Sequence, residues 1–323
     1  GRLVDSAPNW TGYSQHSSLT WYNHWGHLLI GRINIAFSNS NNSLLLNSYS
    51  PPSETIWWHI ERDKLELDGA IVFLDSLQGQ NRIINFGRYS YNTPYFRIGL
   101  TELVLFSYNT IGSNELNYLL PSTILFETEI NSGKNSNLFW MLDFQLKKSN
   151  KTINFELLVD DYALDRLSPP KLAGKLEIYN YYNQLTLGLI YVRINRWVGN
   201  YFDIDKRMVD NDVLLGNQLG PDSHSIVLVI NFEKNNALII DNKIKYIEKG
   251  QSNINDWPDN IGSGQNFGWS SEPFPSRPIS YIFSNHFSIE KFMIFKNFKI
   301  KLFSEIILFN SWKTEYKMGI NYF

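Results

Sequence analysis

Cysteine is absent from all 323 residues of the chain. Its absence excludes disulfide bonds, metal sites built on thiolates and cysteine nucleophiles. A chain without cysteine is as compatible with the cell envelope as with the cytosol, so the redox compartment stays open.

An excess of either charge is also missing. Lys plus Arg number 29 and Asp plus Glu number 31, which gives a formal net charge of -2. No block of like charge stands out along the sequence. Because nucleic-acid binding favours a basic face, we expect no nucleic-acid partner.

Long apolar runs do not occur. No window approaches the roughly 18 to 20 consecutive apolar residues that a membrane-spanning helix requires. No basic and apolar signal peptide opens the chain, so an exported form of the protein would be processed or truncated. Helical periodicity is also scarce; residues 61–74 are the nearest candidate, and they are equally compatible with a strand.

Aromatic residues are abundant in spite of a polar mean hydropathy of -0.26. The chain contains 10 Trp, 18 Tyr and 21 Phe, which together make up 15% of it. So many aromatic side chains in a polar chain suggest that they are used at surfaces. Trp and Tyr in particular are favoured where a membrane meets water.

The dominant sequence pattern is alternation with a period of two. In residues 152–160, Ile153, Phe155 and Val159 point to one face of a strand, while Asn154 and Glu156 point to the other. The same alternation recurs in residues 140–147, 225–232, 291–302 and 312–322. Short turn signals such as KKSNK at 147–151 alternate with long loops such as 250–278.

Strands of roughly 9 to 11 residues with this alternation are what a transmembrane β-barrel requires. In lipid every backbone N–H and C=O must be paired, so the sheet must close, with an apolar outer face and a lumen that can be wet. A soluble sandwich uses the same alternation with its polar face outward. Strand length and aromatic content favour the barrel. We therefore predict an all-β fold: one antiparallel transmembrane β-barrel of the outer membrane over residues 1–323.

Four stretches carry motifs in a fixed order. Residues 31–60 have a Gly-Arg strand start, a Leu-rich strand and a Ser-x-x-Pro-Pro segment, and residues 96–122 have a Glu-bearing apolar run before a Tyr-Leu-x-Pro turn. Residues 135–162 form paired strands that end in an acidic doublet before an aromatic residue, and residues 214–228 contain a Gly-x-x-Leu-Gly-Pro-Asp loop. In this order the motifs resemble the Wzi-like capsule-assembly outer-membrane proteins of Gram-negative bacteria.

The resemblance covers most of residues 31–232. It implies a lectin-like outer-membrane barrel that binds capsular or other surface polysaccharide and assists capsule assembly or attachment. The expected partners are this polysaccharide and outer-membrane lipid, with no cofactor and no enzymatic activity. The chain starts within or just before the family's early strands, which leaves open the loss of an N-terminal part. Two other interpretations stay open: a porin-type channel, and a soluble β-sandwich enzyme acting on polysaccharide.

Acidic residues on the strands are candidates for the lumen or the rim of the barrel. Asp160 and Asp161 are neighbours on a strand, so they point to opposite faces and make a poor pair for glycosidase chemistry. We expect Asp160, Glu156 and Glu102 at the lumen or rim, where Glu102 would pair with an arginine such as Arg82. None of them is assigned a catalytic role.

Histidine residues give no convincing site. His24 and His27 are three residues apart, which puts them on opposite faces of a strand, so we expect no metal site. The GPDSHS stretch at 220–225 matches a catalytic triad only in composition, because neighbours in one loop do not make the required geometry. We interpret this stretch as a turn set by Gly and Pro.

The long segment 250–278 is the main candidate for glycan binding. It carries Trp257, Phe267 and Trp269 among Asn, Asp, Ser and Gly. Aromatic faces stack on sugar rings, while amides and carboxylates bind hydroxyls, and loops at the mouth of a barrel tolerate binding residues. The alternative is that these rings only pack the loop onto the rim. Tyr201 and Asp203, in NYFDIDKRMVDND, form a second and weaker glycan-binding candidate.

Overall fold

The computed structural model describes residues 2–4, 11–13, 16–34, 42–109, 125, 136–160, 171–234, 238–255, 274–293, 298–309 and 314–322. Its strands are β1 (Arg2–Val4), β2 (Thr11–Tyr13), β3 (Ser17–Asn23), β4 (Gly26–Ile33), β5 (Ser53–Arg62), β6 (Leu65–Leu77), β7 (Gln80–Asn92), β8 (Phe96–Tyr108), β9 (Asn137–Lys148), β10 (Lys151–Asp160), β11 (Lys171–Tyr182), β12 (Leu185–Ile194), β13 (Val209–Asp210), β14 (Val213–Leu214), β15 (Ser223–Lys234), β16 (Leu238–Lys249), β17 (Ser280–Met293), β18 (Phe298–Phe309) and β19 (Thr314–Tyr322). A single 3-10 turn, Ile204–Lys206, precedes β13. Within the described part of the chain, no helix is long and apolar enough to cross a membrane.

One antiparallel sheet of 15 strands contains β3 to β12 followed by β15 to β19. Each strand pairs with the next one along the chain, because β13 and β14 form only a small hairpin inserted between β12 and β15. This meander confirms the all-β antiparallel architecture predicted from the alternation. The ambiguous residues 61–74 are the end of β5 and the start of β6.

The two ends of the sheet differ in the length of their connections. At one end, residues 24–25, 63–64, 93–95, 149–150 and 183–184 make short turns. At the other end, residues 78–79 make a short turn, and the long connections are residues 34–52, 109–136, 195–222 and 250–279. In outer-membrane barrels the short turns face the periplasm and the long loops face outward. We therefore term the long-loop end the outer mouth.

The outer face of the sheet carries a continuous apolar band. Phe155 on β10 lies opposite Leu176 on β11, and Leu176 lies opposite Tyr191 on β12. Tyr191 in turn lies opposite Ile226 on β15, and all four side chains are at least 36% exposed. An exposed apolar surface that crosses strand after strand is unusual for a soluble monomer and is typical of a lipid-facing band.

The inner face of the sheet packs against segments that fold back from the outer mouth. Residues 42–50, 195–222, 250–255 and 274–278 are termed the plug. Leu44, Leu45, Met208 and Leu215 of the plug form one hydrophobic cluster with strand residues. The inward strand residues of this cluster are Ala70, Val72, Ile84, Phe86, Leu103, Leu105, Phe139, Met141, Leu158, Ala173, Val192, Ile194 and Ile247. Because strands from β6 to β16 contribute to one cluster, the sheet curls around the plug.

The Leu-rich stretch at 44–46 corrects one sequence-based expectation. These residues were expected to form a strand, but they lie in the loop between β4 and β5. All three leucines are buried, and the backbone N–H of Asn47 donates to the carbonyl of Leu215, 3.0 Å away. The stretch is apolar because it fills the barrel.

A charge placed on the apolar band should destabilise the barrel. We expect Phe155→Arg to lower the free energy of unfolding by about 2–4 kcal/mol, the cost of a basic side chain near the bilayer midplane. Urea titration of the protein folded into lipid vesicles measures this change. Thr186→Arg, on the inner face of β12, is the matched control and should cost much less. Equal losses in the two variants would contradict the assignment of the faces.

Candidate functional site

The side chain of Arg82 on β7 binds backbone carbonyls in the middle of the plug. Its guanidinium is fully buried and donates from Nε to the carbonyl of Asp205, 2.7 Å away, and from Nη2 to the carbonyls of Arg207 and Val209, at 2.7 and 2.8 Å. Nη1 donates to Asp75 Oδ1 at 2.7 Å. A buried guanidinium is stable only when its donors are paired, so Arg82 and the plug backbone depend on each other.

Two inward carboxylates of β10, those of Glu156 and Asp160, also bind the plug backbone. Glu156 Oε2 accepts a hydrogen bond of 2.8 Å from the backbone N–H of Leu44. Asp160 Oδ2 accepts one of 2.6 Å from the backbone N–H of Gly199. Both carboxylates are buried, and each faces a lysine of β11 across the strand pair. The structure thus places Asp160 and Glu156 inside the barrel, with oxygens already used in binding the plug.

Lysines complete the set of strand charges that bind plug backbone. Lys171 and Lys175, which face the two carboxylates, donate to the carbonyls of Asn200 at 3.2 Å and Asn42 at 2.8 Å. Lys249 on β16 donates to the carbonyl of Leu219 at 2.9 Å. Anions on the strands therefore bind plug N–H groups and cations bind plug carbonyls. This rule satisfies the polar backbone of loops that would otherwise lose water on entering the barrel.

Asp210, in the plug hairpin, is held where the plug meets β5 and β6. Its Oδ1 accepts from the backbone N–H of Asp75 at 2.7 Å, and its Oδ2 accepts from the Ser53 hydroxyl at 2.9 Å. Burial, followed by the side-chain contact with Asp75, raises the pKa of Asp210 to about 6. The docked plug therefore favours the protonated carboxyl.

Closer to the short-turn end, a second layer of ion pairs crosses the lumen. Arg88 Nη2 lies 2.7 and 2.8 Å from the two carboxylate oxygens of Asp143, and both residues are buried. Gly99 lies between them on β8, and a Cβ at this position would come within 2.5 Å of both side chains. Arg97 pairs with Glu66 at 2.8 Å. The predicted lumenal ion pairing exists, but Arg88, Arg97 and Arg82 use carboxylates other than Glu102.

Glu102 does not face the lumen. Its neighbour Leu103 points into the plug cluster, so Glu102 points to the outer face of β8. Its carboxylate accepts from the backbone N–H of Leu125 at 2.9 Å and from Trp140 Nε1 at 3.1 Å. The expectation of a lumenal position is wrong because β8 is apolar on both faces, so alternation could not assign them. The two donors offset the cost of a carboxylate on this side.

The weaker glycan-binding candidate, Tyr201 and Asp203, lies on the plug beside Lys171 of β11. Tyr201 is only 5% exposed, and the Nζ atoms of Lys171 and Lys206 lie 5.4 and 5.7 Å from its ring centre. Its ring stacks on that of Phe202 at 4.8 Å, and Phe202 is 49% exposed. Asp203 is partly exposed and pairs with Lys206 at 2.7 Å. Tyr201 therefore supports the exposed ring of Phe202 and has no free face for a sugar.

The remaining candidate residues do not form a site within the described part of the chain. Trp257, Phe267 and Trp269 lie outside the described residues. His24 lies in the turn after β3, and His27 faces the lumen, where its ring is 5.1 Å from that of His59. Among the residues that the structure describes, no group of three or more His, Cys, Asp and Glu side chains could hold a metal ion.

The GPDSHS stretch does not assemble a triad. Asp222 is buried and binds the backbone N–H groups of Ser252 and Ser276, at 3.2 and 2.9 Å. The Ser223 hydroxyl donates to the carbonyl of Gly220 at 2.6 Å, while His224 Nε2 lies 2.9 Å from Glu248 Oε2. Asp222 and Ser223 therefore fix the plug. The turn interpretation covers only the first half of the stretch, because β15 begins at Ser223.

Comparisons with known proteins identify the fold. No family model matches the sequence, and no curated protein matches it. Among solved structures, Wzi of Escherichia coli, described as an outer membrane protein involved in group 1 capsule assembly and a carbohydrate-binding β-barrel, superposes with a TM-score of 0.59. The match has 9% identity and covers 94% of this chain and 76% of that chain.

Two proteins of Pseudomonas aeruginosa also match. OpdL has a TM-score of 0.52 at 8% identity, over 95% of this chain and 80% of its own. OccK3 (OpdO) has a TM-score of 0.50 at 11% identity, over 94% of this chain and 76% of its own. At such identities the likeness shows a shared fold and does not single out the Wzi-like family. The fold is that of an outer-membrane β-barrel, so the predicted fold class and outer-membrane location are confirmed.

Loss of the Arg82 guanidinium should release the plug. Arg82→Met leaves Asp75 and three plug carbonyls without their donor, at a cost of about 3–5 kcal/mol. We expect much faster protease cleavage within residues 195–222, mapped by mass spectrometry on the folded protein. Arg97→Met, which removes a lumenal arginine paired with Glu66, is the matched control and should leave this cleavage unchanged. Equal protection in both variants would contradict the role of Arg82.

Plug docking should also depend on pH through Asp210. The pKa of Asp210 is raised from 3.8 to about 6 in the folded protein. The stabilisation of the docked plug by the protonated carboxyl is therefore fully present below pH 3.8 and is lost as the pH rises through about 6. Cleavage within residues 195–222, measured with a protease active across the range and corrected for its own pH profile, should be several-fold faster at pH 7.5 than at pH 5. Asp210→Asn should remove most of that difference; an unchanged profile in this variant would refute the assignment.

Proposed function

We propose that the protein binds surface polysaccharide at its outer mouth and assists the assembly or attachment of a capsule. The plug is the observation that carries this proposal. Charged residues on β7, β10, β11 and β16 hold its backbone, and its leucines fill the space between the strands. A cavity of about 30 Å³ beside Leu44, Phe139 and Met208 has room for no more than about a water molecule.

A filled outer mouth favours binding over conduction. A barrel of this many strands is wide enough for an aqueous channel when its bore is empty. Here the loops that could line such a bore occupy it, and buried hydrogen bonds hold them in place. The likeness to Wzi, which is described as a carbohydrate-binding protein involved in capsule assembly, also supports binding over conduction.

The proposed contact surface is the exposed side of the plug around Phe202. Its ring offers a flat apolar face, and the carboxylate of Asp203 next to it can accept hydrogen bonds from sugar hydroxyls. The same proposal includes three aromatic residues of the long connection 250–279, because aromatic rings can stack on sugars: Trp257, Phe267 and Trp269. Surface polysaccharide and outer-membrane lipid are the proposed partners.

We further propose that the protein is not an enzyme. The lumenal carboxylates Asp160 and Glu156 each accept a plug N–H and face a lysine, so neither is left poised as a general acid or nucleophile. Asp161, the other member of the acidic doublet, lies outside the described residues.

Removal of the Phe202 ring should weaken polysaccharide binding. We expect Phe202→Ala to bind immobilised bacterial capsular polysaccharides about 3- to 10-fold more weakly than the wild type, from the loss of one stacking contact. A glycan array probed with the detergent-purified protein measures this. Tyr95→Ala removes an exposed ring at the short-turn end and should bind normally. Equal effects of the two substitutions would contradict a site at Phe202.

Conductance distinguishes the channel interpretation. The wild type in a planar lipid bilayer should show little ion conductance, whereas Arg82→Met should show more as the plug loosens. High, steady conductance of the wild type without polysaccharide binding would favour the porin-type channel.

A further inference from the structure

A cavity of about 360 Å³ with a mixed polar and apolar lining lies inside the barrel, between the plug and the inner wall formed by β11, β12, β15, β16 and β17. Asn42, Asn217 and Leu219 of the plug form one side of it. Among the described residues, three lysines and one carboxylate line it: Lys175, Lys245, Lys249 and Glu177. This volume is within the range that small ligands occupy in proteins. The plug contacts described above use part of this wall but leave the cavity itself unexplained.

The three lysines differ in how far they are neutralised. Lys175 Nζ lies 2.8 Å from Glu177 and 3.9 Å from Glu156, so its charge is balanced. Lys249 Nζ donates to the carbonyl of Leu219, a neutral group. The nearby carboxylate of Asp222 is bound by the N–H groups of residues 252 and 276.

Lys245 is the cation of this lining for which the described residues provide no counter-charge. Within the described part of the chain it makes no hydrogen bond and no ion pair, and its cross-strand neighbours are Val227 and Ser284. The next inward residue on β16 is Lys243, and its neighbour on β17 is His286, so neither adds negative charge. Asp241, further along β16, is hydrogen-bonded by Asn231 at 2.5 Å. A half-buried ammonium among such neighbours favours an anion beside it.

An aromatic surface continues from this cavity along β11. Tyr179 and Tyr181 occupy the next inward positions after Lys175 and Glu177, and their rings stack at 6.5 Å with 22° between planes. The Tyr179 ring lies against Gly188 of β12, where a Cβ would come within 2.6 Å of it. Glycine at position 188 thus lets this ring lie flat, and Tyr181 remains 44% exposed.

We propose that this cavity is a second saccharide site, which binds a carboxylate-bearing sugar residue such as a hexuronate. The carboxylate accepts hydrogen bonds from Lys245 and Lys249, and the sugar chain continues over Tyr179. The site is inside the barrel and separate from the Phe202 surface, so it goes beyond the proposed function and can be tested independently of it.

Calorimetric titration of the detergent-purified protein with trigalacturonate tests this site. We expect trigalacturonate to bind and neutral maltotriose not to bind. Lys245→Met should weaken trigalacturonate binding about tenfold or more through the loss of a charge-assisted hydrogen bond. Lys245→Arg should retain most of the affinity, and Tyr179→Leu should weaken it less than Lys245→Met. Lys151→Met, on the outer face at the short-turn end, is the control and should bind like the wild type. A shift in gel mobility on heating checks that every variant is folded.

Three outcomes would overturn the proposal. One is the absence of trigalacturonate binding to the folded wild type, and another is an equal loss in Lys245→Met and Lys151→Met. The third is acetate binding as tightly as trigalacturonate, which would reduce the cavity to a simple anion site. Phe202→Ala should leave this titration unchanged, so failure here and failure of the outer-mouth proposal give different results.

Discussion

The architecture depends on one kind of interaction, the hydrogen bonds between charged side chains on the strands and the backbone of the plug. Loops that leave water need partners for their N–H and C=O groups, and charges that leave water need partners of their own. Arg82, Glu156, Asp160 and Lys249 meet both needs at once, because each binds plug backbone directly. Neither the charges nor the loops would be stable in the barrel without the other, so wall and plug form a single folded unit.

This mutual dependence divides the barrel into two zones. Near the outer mouth, leucines and backbone hydrogen bonds fill the bore and hold the plug surface, with Phe202, in place. Toward the short-turn end, ion pairs such as Arg88 with Asp143 cross a more polar lumen. A rigid outer zone suits recognition, because a surface that is already ordered loses little entropy when it binds. The cavity that we propose as a saccharide site lies where the plug meets the strand wall.

Alternation in the sequence predicted the strands well where only one face is apolar. Residues 152–160 show it, since Phe155 faces outward and Glu156 inward, as the period requires. Alternation does not distinguish the two faces of β8, because Leu103 packs on the plug while Val104 packs on the outer side, and it therefore predicts the wrong face for Glu102. The leucines at 44–46 resembled a strand because sequence alone does not show that a loop enters the barrel. The burial of Tyr201 depends on Lys171, which is 30 positions away in the chain and beyond any local pattern.

The use of backbone groups to hold the plug has a consequence for recognition. Because Arg82 binds the carbonyl groups of three plug residues, these contacts do not require a particular side chain at those positions. Gly199, whose N–H binds Asp160, is an exception, because its φ of 77° disfavours any other residue. The side chains that point outward can therefore change without loss of docking, provided that the buried leucines remain. A barrel built this way separates stability, which depends on the strand charges, from the proposed specificity, which would depend on exposed residues such as Phe202 and Asp203. Surface polysaccharides vary greatly in composition, and a protein that binds them gains from a contact surface whose residues can vary while its anchoring stays the same.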